Sequence, residues 1–491
     1  MWSRVFCVPF AHQAKFDEEI NYTKWLTVKM FAKATYIARR AALISRMGCG
    51  GVVVIPGNEL SPNSYLNNPY YFRQDATFRY FFGSDRPSLW GVIDLDSGEQ
   101  MLFGEESSLD DLIWTGAQPS IAELGAEVGI SICKPVSELM GYIAEAERHN
   151  RTIHILPPYR GETKIALAEL LNSPIDSLLS GELIFAVAEL REKKSEEEIA
   201  ALEEAYKIGY ELHTTAMRMC RPGVVEREIG GALEGIARQM GAGVSFPPIC
   251  TQHGETLHNT EREGVLRSGR LMLCDAGGES LEGYCSDHTR TYPISGKFTD
   301  IQRDIYNVVL RAKSRVAEIA RPKMLYSDLQ RATYLSLAEG LKELDFMRGS
   351  AEDILQSGAI SMLMPHGVSH GLGLDVHDCE ALGERTFDLS RFTKQVERST
   401  SCIIRSRWIF DEGTVISNEP GLYFIPALIE KRRSEGLYRG IANFDKIAKY
   451  LDFGGIRIED DLVITDSGSR EIGDVKIPIT TSEIEDYMAR Q

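Results

Sequence analysis

The sequence is poor in what would place a protein in a membrane, on nucleic acid or in an oxidising compartment. No stretch of its 491 residues approaches the roughly 20 consecutive apolar residues that span a bilayer. The apolar run at Met1–Phe10 is short and gives way at once to Ala11-His12-Gln13, which does not make a secretory leader. Basic residues are outnumbered, 54 Lys+Arg against 71 Asp+Glu, for a net charge of −17. That balance disfavours sequence-independent binding to phosphate backbones and docking on anionic lipid. Cysteine is sparse and scattered: nine residues, an odd number, with no C-x-x-C. This reads as a reduced cytoplasmic protein without a disulfide framework. There is no low-complexity tract, and no internal repeat is visible. Ordinary domain-like sequence begins at Met30, a candidate start that would leave residues 1–29 outside the native protein.

What remains is ordinary globular composition, 43% hydrophobic and 25% charged, long enough for two or three domains. Residues 30–160 alternate helix-like and strand-like segments and are expected to form an α/β domain. Thr35–Met47 reads as a helix. Gly51–Ile55, Phe78–Phe82, Trp90–Ile93 and Met101–Phe103 read as strands, punctuated by Pro56-Gly57 and Asp94–Gly98. Leu156-Pro-Pro-Tyr159 marks a boundary.

A second domain is expected over 185–488. Ser195-Glu-Glu-Glu198 is a capping box, and Ile199, Leu202, Tyr206 and Tyr210 follow at helical spacing. Further helices are expected around Ile229–Met240, Thr299–Ala320 and Ser327–Leu341. Strand segments are expected at Arg270–Cys274, Gly283–Tyr292, Val368–Val376, Thr414–Ser417 and Ile456–Thr465. The pattern is α+β, helices on a mostly antiparallel sheet.

The residues able to carry chemistry lie in this second half, where six of the ten histidines fall between 253 and 377. Asp275 ends the apolar run Leu271–Cys274, and Asp287 opens His-Thr-Arg-Thr291. A carboxylate at the end of an apolar strand is costly unless paired or metal-bound. His366, His370 and His377 sit in a glycine-rich stretch. The i, i+4 spacing of the first two does not make a zinc-binding helix, because Pro365, Gly367, Gly371 and Gly373 oppose one. Glu419 stands in Ile416-Ser-Asn-Glu-Pro-Gly421 and Glu459 in Ile456-Arg-Ile-Glu-Asp-Asp461. Four carboxylates and an imidazole are a hard, oxygen-rich set that suits manganese or another small divalent ion. Two such ions would balance four negative charges. Held about 3.5–4 Å apart they can share a water and lower its pKa into the working range.

These motifs resemble the metallopeptidase family of aminopeptidase P, prolidase and methionine aminopeptidase, with its pita-bread fold. The segments that carry the likeness are Asp275-Ala-Gly-Gly, Ser286-Asp-His-Thr-Arg-Thr, Met364-Pro-His-Gly-Val-Ser-His through Asp378, Asn418-Glu-Pro-Gly-Leu-Tyr-Phe and Gly454-Gly-Ile-Arg-Ile-Glu-Asp-Asp. Phe72-Arg-Gln-Asp-Ala-Thr-Phe and Ile113-Trp-Thr-Gly resemble the N-terminal domain of the proline-specific branch. The resemblance implies two divalent metal ions, manganese foremost, with cobalt, zinc or iron as alternatives. It implies Asp275, Asp287, His370, Glu419 and Glu459 as ligands, Asp287 and Glu459 bridging. Glu419 would take the proton from the shared water. His366 and His377 would hold the peptide and shuttle protons, and His258, Arg457 and Tyr423 would face the substrate.

The implied activity is hydrolysis of the N-terminal Xaa-Pro bond of peptides with proline second. An Xaa-Pro dipeptidase is the alternative, and a non-catalytic binding protein on the same fold is a remote one. The context of His258 and His370 favours the aminopeptidase; the segment between Phe424 and Phe453 is more like prolidase. The family also implies a homodimer. Asp275 and Asp287 are one residue further apart than in many members, so a bulge or a longer hairpin tip is expected. Cys274 and Cys285 are expected in the core, and His288 as a satisfied side chain.

Overall fold

The computed structural model describes residues 31–175, 178–382 and 408–490. The candidate start at Met30, with residues 1–29, lies outside them. The N-terminal unit is a three-layer α/β sandwich. Its five-stranded sheet has the order β4-β3-β2-β1-β5, from β1 (Val52–Pro56), β2 (Trp90–Asp94), β3 (Gln100–Gly104), β4 (Ile132–Pro135) and β5 (Ile153–His154). The helices are α1 (Lys33–Met47), α2 (Ala76–Phe82), α3 (Leu109–Trp114), α4 (Ile121–Val128) and α5 (Leu139–Arg148). The run Val52–Ile55 is apolar at every position because both faces of β1 are covered. Val53 and Ile55 pack with α1, α2 and α4, while Val52 and Val54 pack with α5.

One expected strand is a helix. Phe78–Phe82 lies in α2, whose residues are all buried. A short aromatic run with one arginine carries no period that separates strand from buried helix. The ends decide: Asp75 accepts from the Phe78 amide at 2.8 Å, and Gly83 closes the helix at φ +55°.

Two linking helices, α6 (Gly161–Leu171) and α7 (Gly181–Glu192), lead into the second unit. There, α8 (Glu196–Met219) and α9 (Glu226–Met240) pack together, as do α10 (Asp300–Ile319) and α11 (Tyr326–Glu343). The two pairs repeat one motif that the sequence hides. Each first helix ends before an Arg-Pro turn, Arg221-Pro-Gly223 and Arg321-Pro-Lys323. The third turn residue has positive φ in both, +91° at Gly223 and +67° at Lys323. Its amide donates to a distant carbonyl, Leu266 or Phe410. Side chains differ along the two copies, so the repeat is carried by turn geometry rather than by identity.

The helices back small antiparallel ladders. After β6 (Gly243–Val244) and β7 (Ile249–Thr251) come β8 (Leu271–Ala276), β9 (Gly278–Glu279) and β10 (His288–Pro293). Further on are β11 (Val415–Asn418), β12 (Gly421–Tyr423), β13 (Gly455–Arg457), β14 (Asp460–Ile464) and β15 (Ser469–Glu471). β8 lies between β10 and β7, and β14 between β11 and β15. The expected strand Val368–Val376 is not one: it is loop, joined to β11 and the residue after it by a Gly371–Ile416 bridge and by backbone bonds at Val368, His370 and Leu372. Gly371 and Gly373 give its backbone little bias toward an extended ladder. The expected strand Ile456–Thr465 is split into β13 and β14 at Ile458-Glu459.

Ser195 and Glu198 form the expected reciprocal cap of α8, at 3.3 and 2.9 Å. Ser195→Ala is expected to destabilise the protein by about 1 kcal/mol. The check is a lower denaturant midpoint at unchanged slope.

Candidate metal centre

The two ladders present their polar ends to one another. Asp275 is the fifth residue of β8 and lies opposite Thr289 of β10. Asp287 immediately precedes β10. The hairpin between them keeps one register: Glu279 bridges Cys285, and the Ser280 amide reaches the Tyr284 carbonyl. No bulge is needed, because a three-residue tip, Leu281–Gly283, absorbs the count and keeps Asp275, Asp287 and Thr289 on one face. A side chain at Gly277 would put its Cβ 1.7 Å from the Ser286 carbonyl, so the close pairing of the hairpin requires glycine there.

Glu419 follows β11 and Glu459 precedes β14, directly beyond the Asn418–Asp460 pair. A Glu459–Thr289 bridge ties this ladder to the first. His370 comes from the loop, pinned to β11: its carbonyl accepts from Ser417 N–H at 3.0 Å and its amide donates to Ser417 Oγ at 3.0 Å.

Donor atoms of Asp287, His370 and Glu459 lie within 4.8 Å of one another. His370 Nε2 is 3.4 Å from Asp287 and 3.7 Å from Glu419. Its Nδ1 lies 3.0 Å from the Gly371 carbonyl. A carbonyl can only accept, so Nδ1 carries a proton and Nε2 is the atom left to face the carboxylates or a cation. Asp275 Oδ1 and Asp287 Oδ1 are buried and have no hydrogen-bond partner among the described residues. Burial and the neighbouring Asp275 push the Asp287 carboxyl well above the usual range; burial and Asp287 do the same to Glu459. Burial also opposes the charge on Glu419, but His366, His370 and Arg457 outweigh it and hold that carboxyl low. A buried anionic cluster with orphaned oxygens fits a divalent cation, which would meet those oxygens and neutralise their repulsion.

A second chain of contacts surrounds the cluster. Arg457 donates to Asp275 at 2.5 Å, to Thr289 Oγ1 at 3.1 Å and to the Tyr423 hydroxyl at 3.0 Å. Thr289 in turn donates to Glu459 at 2.6 Å. Tyr423 lies 2.8 Å from His366 Nε2, and His366 Nδ1 is 3.7 Å from Glu419. The His377 ring stacks on His370 at 3.8 Å and bonds Glu380 at 3.0 Å. His258 is exposed on the loop after β7.

The sequence reading misses Thr289 and Asp461. Asp461 accepts the Asp287 amide at 3.0 Å. Each sits two residues beyond a carboxylate of the cluster, the strand period that marks them. His288 is not the satisfied side chain expected: neither ring nitrogen has a hydrogen-bond partner among the described residues. It packs against the Tyr206 ring and burial holds it neutral. Cys274 is in the core beside Cys250, as expected. Cys285 is buried too, but faces Arg73 and the Leu374 carbonyl.

Residues 200–466 match the model of metallopeptidase family M24, and residues 36–155 match the N-terminal domain of aminopeptidase P. The chain belongs to metallopeptidase family M24. An Xaa-Pro aminopeptidase of Escherichia coli is 30% identical over 88% of this chain and 93% of its own length. A human Xaa-Pro dipeptidase is 28% identical over 90% and 89%. Zinc-substituted E. coli aminopeptidase P in complex with product superposes with a TM-score of 0.75 at 26% identity, over 94% of this chain and 99% of that one. The two-domain aminopeptidase P fold follows, and so does the class of metal-dependent hydrolase. No helix of the described residues is long and apolar enough to cross a membrane.

The raised carboxyls make metal-free stability depend on pH in a definite sense. Folded Asp287 and Glu459 keep protons that the unfolded chain releases as pH rises above about 4. The metal-free fold therefore loses stability from there toward neutrality. Asp287→Asn is expected to stabilise chelator-treated protein at pH 7, on the order of 1 kcal/mol. It is also expected to remove any stabilisation by an added divalent ion, both read as melting temperatures.

Proposed function

We propose that the protein is an Xaa-Pro aminopeptidase that hydrolyses the N-terminal bond of peptides with proline second. The observation that carries the reading is the convergence of Asp287, His370 and Glu459 beside the unpartnered oxygens of Asp275 and Asp287. Asp275, Asp287, His370, Glu419 and Glu459 would hold two divalent ions, manganese foremost, and these when bound supply Lewis acidity and a water of lowered pKa. Glu419 is the proton acceptor, its carboxyl being held low beside two histidines. His366, bonded to Tyr423, and the half-exposed His377 hold the scissile peptide and relay protons. Arg457 orients Asp275 and Tyr423.

An Xaa-Pro amide has no N–H and a rigid ring, so it is recognised by shape. Ile249, Leu273 and Tyr423, with Leu257 and Ile425, form an apolar patch. Ile249 lies opposite Asp275 in the ladder, hence on the site face, and Leu257 adjoins His258. This patch suits a pyrrolidine ring.

The human relative supports a second reading, an Xaa-Pro dipeptidase. Units at 30–160 and 185–488, a cytoplasmic location and a homodimer complete the proposal. The N-terminal unit exposes Leu66, Tyr71, Ile113 and Trp114, apolar area that a partner subunit would cover.

Hydrolysis of Ala-Pro-Ala beside Ala-Pro, with manganese and with chelator, tests the reading. Chelator-sensitive cleavage of the tripeptide after its first residue is expected. Cleavage of the dipeptide alone would make it a dipeptidase, and cleavage of neither would end both readings. Asp287→Ala and Glu459→Ala are expected to abolish activity. His258→Ala should lower it with metal content intact; loss of metal, read by atomic absorption, would show His258 misplaced.

A further inference from the structure

The metal-centre segments are gripped from outside by the N-terminal unit. Two stretches carry or adjoin the proposed ligands. One is the hairpin tip between Asp275 and Asp287. The other is the glycine-containing loop from His370 to Asp378, which positions His377 against His370. Their backbones meet where Cys285 N–H donates to the Gly373 carbonyl at 2.8 Å.

Arg73, from the loop before α2, lies across that junction. Its Nε donates to Glu279 of the hairpin at 2.7 Å. Its first terminal nitrogen donates to Asp375 of the loop at 2.9 Å. Its second reaches the Leu374 carbonyl, and Cys285 Sγ at 3.8 Å. One planar group thus joins both segments, using all three nitrogens in different directions. A guanidinium can do this and a lysine ammonium cannot.

Neighbours reinforce the arrangement. Arg79 donates to Glu279 at 3.0 Å. Arg191 of α7 donates to Asp375 at 3.0 Å, to Asp378 at 2.6 Å and to Thr77 at 3.0 Å. Lys194 donates to Asp378 at 2.9 Å. Opposite charges are paired throughout, so no free charge advertises a ligand; the network acts on the protein itself. Salt bridges between two units could serve only to dock them. What sets Arg73 apart is that its acceptors lie on the two segments that place Asp287, His370 and His377.

We propose that Arg73 is a positioning residue for the metal centre, acting across the domain interface to hold the Asp275–Asp287 hairpin against the His370–His377 loop. This rests on reading Asp287 and His370 as metal ligands. The N-terminal unit then contributes to catalysis through geometry, without touching substrate or metal.

The test loads full-length protein with cobalt(II) and compares visible absorption spectra, cobalt affinity, kcat and KM for wild type, Arg73→Ala, Arg73→Lys and Tyr142→Phe. Tyr142 bonds Asp94 within the N-terminal unit at 2.6 Å, so its loss lowers stability without reaching the site. For both Arg73 variants the expected result is an altered cobalt spectrum, weaker cobalt binding and a fall in kcat of about ten-fold or more, the usual size for groups that orient ligands. KM should change less. Tyr142→Phe should keep the wild-type spectrum. If Arg73→Ala does not fold, Asp375→Asn serves in its place, since it removes the charge that Arg73 meets on the loop and keeps the side chain's shape. Wild-type spectrum and kcat in the Arg73 variants, or full rescue by lysine, would overturn the proposal even with a lowered melting temperature. Failure of wild type itself to bind cobalt would remove the underlying ligand assignment, and the proposal with it.

Discussion

The structure turns on one electrostatic constraint: four carboxylates meet in a largely buried space, with Asp275, Asp287 and Glu459 buried and Glu419 partly exposed. Like charges at that separation in a poorly polarisable interior repel strongly. The protein answers with Arg457, which reaches Asp275 directly and Glu459 through Thr289. One guanidinium cannot balance four acids, so burial and neighbouring charge push the Asp287 and Glu459 carboxyls well above the usual range when no cation is present. The fold thereby stores an affinity for positive charge. It keeps the site assembled by surrounding the unbalanced groups with ladders that have no comparable conflict.

Those ladders explain why the site is built from chain ends rather than chain middles. Asp287, Glu419 and Glu459 each stand one residue outside a strand. Within a ladder, a backbone is committed to its neighbours and a side chain to one face. Just beyond it, the backbone is still aimed by the ladder while the side chain is free to turn toward the other ladder. The Glu459–Thr289 bridge draws the two ladders together at this point.

Much of this is legible in the sequence because it depends on local chemistry. The α8 capping box needs only Ser195 and Glu198, and β1 only a buried β-branched run. The ligand candidates show themselves as acids ending apolar strands, a placement too costly to keep without a cation or a partner. Local chemistry also marks the failures. Phe78–Phe82 has the composition of a strand, but Asp75 and Gly83 cap it as a helix. Val368–Val376 alternates suggestively, yet its glycines leave it a loop that His370 must borrow order from β11 to use. His288 reads as satisfied because most buried histidines are; nothing in its neighbours along the chain reveals that Tyr206 and His213 offer it only ring faces and edges.

The least legible feature is the dependence of one domain on the other. Arg73 and Asp375 are 302 residues apart, and neither has a pattern around it that names the other. Sequence marks Arg73 as a charged residue in a motif; only the fold shows its three nitrogens distributed over two segments of the second domain. The same holds for Arg39, which meets Glu198 and Tyr284 at 3.3 Å each. That pair shows what such contacts do elsewhere in the interface: Glu198 caps α8 and accepts from Tyr284 at 2.7 Å, so an arginine from the first domain completes a helix start and anchors the hairpin tip of the second. An N-terminal domain bound only for substrate access would need none of these arginines directed at the hairpin. Their convergence on Glu279, Tyr284 and Cys285, side chains between two proposed metal ligands, makes the domain part of the frame that holds the charge cluster together.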